Sequence, residues 1–259
     1  MLIFGRIINT LLAVSLCLIR DSGASSGYYY EEATQMTPLR RDITNLDQQV
    51  LTESLSPEES RYFEAITSST REHWMRRAKQ ALSDLASPCP YAAFGAVIVN
   101  HTDTSSSPDG RLICVGINAV SRGNPILHGE IQAINNCSEV LQSPAFGLTP
   151  EAAMLAFHDL TLYTTAEPCP MCASAIRWAG FRECVYGTSL DSLIRFGWAQ
   201  LEVSSREVFD RSTLLSPTTA LIPDVLPAEM DPLFAWQFDV DAPCPDSCNR
   251  DDTGMCVPT

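Results

Sequence analysis

Leu160-Thr161-Leu162-Tyr163-Thr164-Thr165-Ala166-Glu167-Pro168-Cys169-Pro170-Met171-Cys172-Ala173 is the stretch from which the fold can be read. Leu160 to Thr164 mixes β-branched and aromatic residues with leucine and predicts a strand. Pro168 and Pro170 end it. Proline suits the first helical position, where no amide donor is needed, so Met171 to Ala179 reads as a helix. Its small residues Ala173, Ser174 and Ala175 permit close packing. Glu183-Cys184-Val185-Tyr186-Gly187 is the next strand. Upstream, Phe94-Gly95-Ala96-Val97-Ile98-Val99 and Leu112-Ile113-Cys114-Val115-Gly116 flank a turn-rich loop and predict a hairpin. His101 is expected to face solvent from that loop. A helix is expected from Ser56, where Ser56-Pro57-Glu58-Glu59 forms a capping box, to about Ser87. Its apolar stripe is Tyr62, Ile66, Trp74, Ala78, Leu82 and Leu85, broken at Thr70. Another helix starts near His128 with Ile131, Ile134 and Val140 inside, and a short one covers 151–158. His73 and His158 read as surface or packing residues. The element order gives an α/β fold, a mixed sheet with helices on its faces in three α-β-α layers.

Two motifs carry the chemistry: His128-Gly129-Glu130 and Pro168-Cys169-Pro170-Met171-Cys172. His128, Cys169 and Cys172 offer one imidazole and two thiolates, the ligand count of a catalytic zinc site that keeps its fourth position open. A closed structural site would need a fourth ligand, and the nearest candidates, Cys137 and His158, lie outside the spacing. Alone, a C-x-x-C pair also suits structural zinc or redox chemistry, and a lone H-x-E says little. Together, with both halves at helix starts, they point to catalysis. Helix N-termini favour the negative thiolates. Glu130, in the first turn after His128, is placed to move protons without binding metal.

At these residues the chain resembles the cytidine/deoxycytidylate deaminase superfamily, whose signature is H-x-E…P-C-x-x-C. The resemblance runs from about Tyr62 to about Phe209 and is strongest toward the guanine deaminase, fungal cytosine deaminase and tRNA adenosine deaminase branch. Phe94–Val99, Gly116-Ile117-Asn118 and Leu162–Cys172 carry it. The resemblance implies a five-stranded sheet between helical layers, often a homodimer, a Zn2+ cofactor on His128, Cys169 and Cys172, and Glu130 as proton shuttle. It also places Asn118 against the base or ribose, where a plain turn residue after a strand is the competing reading. Phe94 would wall the pocket or simply fill the core. Asp191 and Trp198 fall where relatives place substrate-closing segments. His-Gly-Glu resembles the fungal cytosine enzymes, whereas Pro-Cys-Pro-Met-Cys leans toward the purine and tRNA enzymes. The implied activity is hydrolytic removal of an exocyclic amino group from a free nucleobase or nucleoside, guanine-like or cytosine-like. A catalytically silent secreted zinc-fold binding protein, or a deaminase of another heterocycle, are the alternatives.

Length, charge and termini bound the setting. The 259 residues suit one domain with tails. Arg6, the apolar run Ile7–Ile19 and the small residues Ser22-Gly23-Ala24-Ser25 read as a signal peptide over 1–24, with a signal anchor as the alternative. A polar arm follows over 25–55, the deaminase-like domain over 56–212, and a Pro/Cys-rich extension over 213–259. The run is too short to span a bilayer comfortably, so no stable membrane insertion is expected. Asn100 and Asn136 head glycosylation sequons. Export also fits the ten cysteines. Setting aside Cys17 and the two ligand candidates leaves Cys89, Cys114, Cys137, Cys184, Cys244, Cys248 and Cys256, an odd set able to form up to three disulfides. Cys114 and Cys184 sit in apolar strands, where buried free thiols are at least as natural. The formal charge of −14 repels phosphate backbones, which excludes long nucleic acids as expected partners and leaves small molecules.

Overall fold

The structure is a computed structural model and describes residues 66–259. These lie in the second of two compact units, Leu51–Thr259. The expected signal peptide, the polar arm and the helix start at Ser56 fall outside the described residues. Helix α1 spans Ser68–Leu85, and Thr67 caps it by accepting the Thr70 amide at 3.1 Å. Ile66, part of the expected stripe, therefore precedes the helix. Thr70, the break in that stripe, donates its hydroxyl to Asp109 at 2.8 Å.

Strands β1 (Gly95–Asn100) and β2 (Arg111–Ile117) form the expected antiparallel hairpin. Helix α2 covers Gly129–Gln142, α3 covers Pro150–Ala156, β3 covers Leu160–Ala166, α4 covers Pro170–Ala179 and β4 covers Glu183–Thr188. The sheet order is β2-β1-β3-β4-β5, antiparallel between β1 and β3 and parallel from β3 onward, so it is mixed and five-stranded. Successive β1 side chains point to opposite faces. Ala96 and Ile98 pack with α2, α3 and α4; Val97 and Val99 pack with α1. Both faces are covered: β1 reads as a nearly continuous apolar run, and every residue of β3 and β4 is buried.

The fifth strand corrects the boundary at 212. It is β5, Ala220–Ile222, and lies inside the stretch taken as an extension. Two short helices precede it, α5 (Leu190–Arg195) and α6 (Ser205–Arg211), and two four-residue helices follow, α7 (Pro227–Met230) and α8 (Pro232–Ala235). Met230, Leu233 and Phe234 are buried in the core shared with α1. The prolines keep these elements short, as expected. Three residues of strand give too little periodicity to be read from sequence.

Three disulfides join Cys89–Cys248, Cys114–Cys137 and Cys244–Cys256. Cys184 stays a buried free thiol, whereas Cys114 is bridged to α2, so the two strand cysteines part ways. The tail is stapled both to itself, across the small hairpin of β6 (Cys248–Arg250) and β7 (Cys256–Pro258), and to the loop after α1.

Two further contacts tie α1 to the sheet. Arg71 reaches the fully buried Glu183 at 2.8 Å, at the start of β4. His101, expected in solvent, is instead held inside. Its Nδ1 contacts the Asp109 carbonyl at 2.9 Å, and its Nε2 contacts the Tyr163 hydroxyl at 2.9 Å. A carbonyl only accepts, so Nδ1 carries the proton and Nε2 accepts from tyrosine, and the neutral ring satisfies both. Burial pushes its pKa down to about 4 from 6.5. The folded state thus binds fewer protons than the unfolded chain between those values. Stability from His101 is complete above pH 6.5 and is lost as pH falls toward 4, by at most about 3 kcal/mol. Thermal melts at pH 7.5 and 5 should show a steeper acid loss in the wild type than in His101→Gln; equal losses would rule this role out.

Candidate active site

Two helix N-termini meet at the C-terminal end of the parallel strands. His128 is the N-cap of α2 and Cys169 the N-cap of α4, both extended, and neither side chain caps its own helix. Instead they turn toward one another. His128 Nδ1 lies 3.6 Å from Cys169 Sγ and 3.7 Å from Cys172 Sγ. The three ligand atoms fall within 4.8 Å of one another. Tetrahedral zinc with Zn–S of about 2.3 Å and Zn–N of about 2.0–2.1 Å would set an N···S separation of about 3.6 Å. The donor set and its spacing fit that ion.

The titration of the thiols fits as well. The hydrogen bond from Cys172, followed by that from His128, pulls Cys169 down to about 4. The same thiol pair, with burial, pushes Cys172 up. His128 is raised, chiefly by its contact with Cys169. Three groups thus share protons around one negative charge, and a divalent cation would displace those protons.

Glu130, at the second position of α2, is only 3% exposed. Burial, more than the nearby Cys169 charge, pushes its carboxyl up to about 7. It sits inside the first turn because the helix lies very close to the sheet. A Cβ on Gly116 would strike the Ala133 amide and the Gly129 carbonyl, and one on Gly129 would meet the Phe94 carbonyl at 2.5 Å. Glycine at both positions lets the helix start approach β1 and β2.

Phe94 and Asn118 stand at that same contact. The Asn118 amide donates to the Phe94 carbonyl at 2.8 Å, and Asn118 Oδ1 accepts from Val120 N–H at 3.2 Å. Asn118 is therefore a turn residue whose amide nitrogen remains as a donor. The Phe94 ring packs against Trp198 and Phe234, with centroids at 5.4 and 5.0 Å. Trp198 is thus brought to this wall, while Asp191 is exposed on α5. The two sequons differ. Asn100 ends β1, and its Oδ1 accepts from the Thr102 amide and hydroxyl at 2.9 and 2.7 Å. Asn136 lies inside α2, where its Oδ1 accepts from Val115 N–H on the outer edge of β2 at 3.3 Å.

Sequence reasoning missed Glu167. Its carboxylate binds the first turns of both α5 and α6. Those partners lie 23 and 38 residues away, so no local pattern announces them. The start of α6 did have a local signal: Ser204, three residues before Glu207, caps it by accepting the Glu207 amide.

Residues 68–188 match the cytidine and deoxycytidylate deaminase zinc-binding region. That segment belongs to this family. Guanine deaminase of Bacillus subtilis (strain 168) is 39% identical over 87 residues, which cover 33% of this chain and 44% of that protein. The probable cytosine deaminase of Schizosaccharomyces pombe is 29% identical over 102 residues, 39% of this chain and 51% of that protein. The aligned stretch spans about half the length of these curated relatives. Among solved structures, guanine deaminase from Nitrosomonas europaea aligns at 18% identity and a TM-score of 0.43, over 73% of this chain and 97% of that one.

The deaminase region should take up stoichiometric zinc, and Cys172→Ser should lose it. Elemental analysis after dialysis against a weak chelator would read both, and zinc retained by the variant would exclude the thiolate as a ligand.

Proposed function

We propose that this chain is a zinc-dependent hydrolytic deaminase acting on a free nucleobase or nucleoside, a purine such as guanine or else cytosine. The carrying observation is the buried Glu130 carboxyl beside a His/Cys/Cys set at tetrahedral spacing. Membership of residues 68–188 in a deaminase family supports the reaction class. The names of the relatives point to both ring types and leave the choice between them to experiment.

A zinc ion on His128, Cys169 and Cys172 would supply the Lewis acidity that makes a water nucleophilic near neutral pH. Glu130 then does the proton work. It would take one proton from the attacking water and pass it to the ring nitrogen as the C–O bond forms. It would then collect the remaining hydroxyl proton and pass it to the amino group, so that the C–N bond breaks, a carbonyl is left on the ring and ammonia departs. The Asn118 amide nitrogen offers a donor to an acceptor on the base or ribose, and Phe94 with Trp198 offers an aromatic wall. The strongly acidic chain favours small, uncharged substrates over phosphate backbones. Incubation with guanine, cytosine, adenine and their nucleosides, followed by ultraviolet spectra, should show one converted. Glu130→Gln should keep its zinc and lose about 10²–10⁴-fold of the turnover. No conversion by folded, zinc-replete protein would remove the nucleobase assignment.

We further propose that the chain enters the secretory pathway, as the expected signal over residues 1–24 suggests. Three bridges among the described cysteines are the pattern of an oxidising compartment. Among the described residues no helix is long and apolar enough to cross a membrane. Asn100, at a strand end beside an exposed Thr102, suits a glycan better than Asn136, whose amide holds the sheet edge. Protein from the medium of expressing cells should shift on glycosidase treatment, and Asn100→Gln should abolish the shift. A shift that persists in Asn100→Gln and disappears in Asn136→Gln would reverse this assignment.

A further inference from the structure

We propose that Glu167 is a positioning residue. Its buried carboxylate fixes the Cys169–Cys172 turn and closes residues 190–205 into a strap that holds Trp198 against Phe94. The residue is 7% exposed and follows directly on β3. Its amide donates to the Thr188 carbonyl at 2.7 Å, which joins the ends of β3 and β4. Oε2 accepts from Leu190 N–H at 2.8 Å. Oε1 accepts from both the amide and the hydroxyl of Ser205, each at 2.8 Å.

Both oxygens are therefore filled by donors, and two of these are first-turn amides with no partner inside their own helices. Since Leu190 and Ser205 bind the same side chain, the segment between them is closed at its base. In its middle, Trp198 donates Nε1–H to the Phe234 carbonyl at 2.9 Å and packs its ring on Phe94. The Phe94 carbonyl in turn rests on Gly129, beside His128. Glu167 itself stands two residues before Cys169. The contacts thus run from one ligand turn, through the strap, to the other.

Glu167→Gln preserves size but sets an NH2 group against an N–H or O–H donor, whichever way the amide turns. Hydrogen exchange of the full chain, read on peptides covering 167–174 and 189–206, should accelerate about tenfold or more in both. Zinc release into excess chelator should accelerate by a similar factor. Ser205→Ala removes a single donor and should give the same pattern at smaller amplitude, which covers the case of a poorly folding Glu167→Gln. Arg71→Met is the control. It unpairs Glu183 at the opposite end of β4 and should lower the melting temperature without changing either readout at the turn. Faster exchange confined to 189–206, with the turn and zinc release at wild-type rates, would overturn the proposal and leave Glu167 as a cap for two helices. The zinc arm rests on the metal reading above. Should the wild type bind no zinc, that reading fails, while the exchange arm still decides the role of Glu167.

Discussion

The close approach of one helix start to the sheet governs the rest of this structure. With no side chain at Gly116 or Gly129, the first turn of α2 lies directly on β1 and β2. A single methyl at Gly116 would meet backbone on two sides, and such overpacking typically costs about 1–3 kcal/mol. Because the turn is so close, Glu130 is buried without an ion pair and His128 projects beyond the strand ends. The parallel β3–β4 half delivers Cys169 to the same level, β3 ending at Ala166. Helix start and strand end thus bring the three donor atoms within 4.8 Å of one another through backbone placement.

Electrostatics reinforces that placement. The N-terminal dipoles of α2 and α4 converge where the thiols share a negative charge. Those of α5 and α6 converge on Glu167. Each pair of helix starts converges on one site, the thiols in one case and the Glu167 carboxyl in the other, and the two are separated by one residue of chain, Pro168. Proline there offers no amide donor to compete with either.

The clustering of His128, Cys169 and Cys172 and the layered arrangement of sheet and helices were legible because their signals are local. Pro-Cys-Pro-Met-Cys fixes strand, turn and helix within one run, and His128-Gly129-Glu130 does the same for α2. Where reading failed, the determinants were distant. His101 sits beside turn residues, yet Tyr163 on another strand and the Asp109 carbonyl draw it inside. Cys114 could on its local pattern be either a core thiol or a bridged one, and only the packing of α2 on β2 brings Cys137 to it. Glu167 carried no signal, since its partners belong to helices too short to show a period. Ala220–Ile222 was too brief to register as a strand amid its prolines.

The position of β5 has a consequence for any shortened form of this protein. β5 covers the open side of β4, all six of whose residues are buried. A chain ending at residue 212 would keep His128, Cys169 and Cys172, yet would expose Cys184, Val185 and their backbone as a bare border. Such a border recruits strands from other molecules. The segment after 212, poor as it is in regular structure, therefore shields this edge of the sheet from pairing with neighbouring molecules.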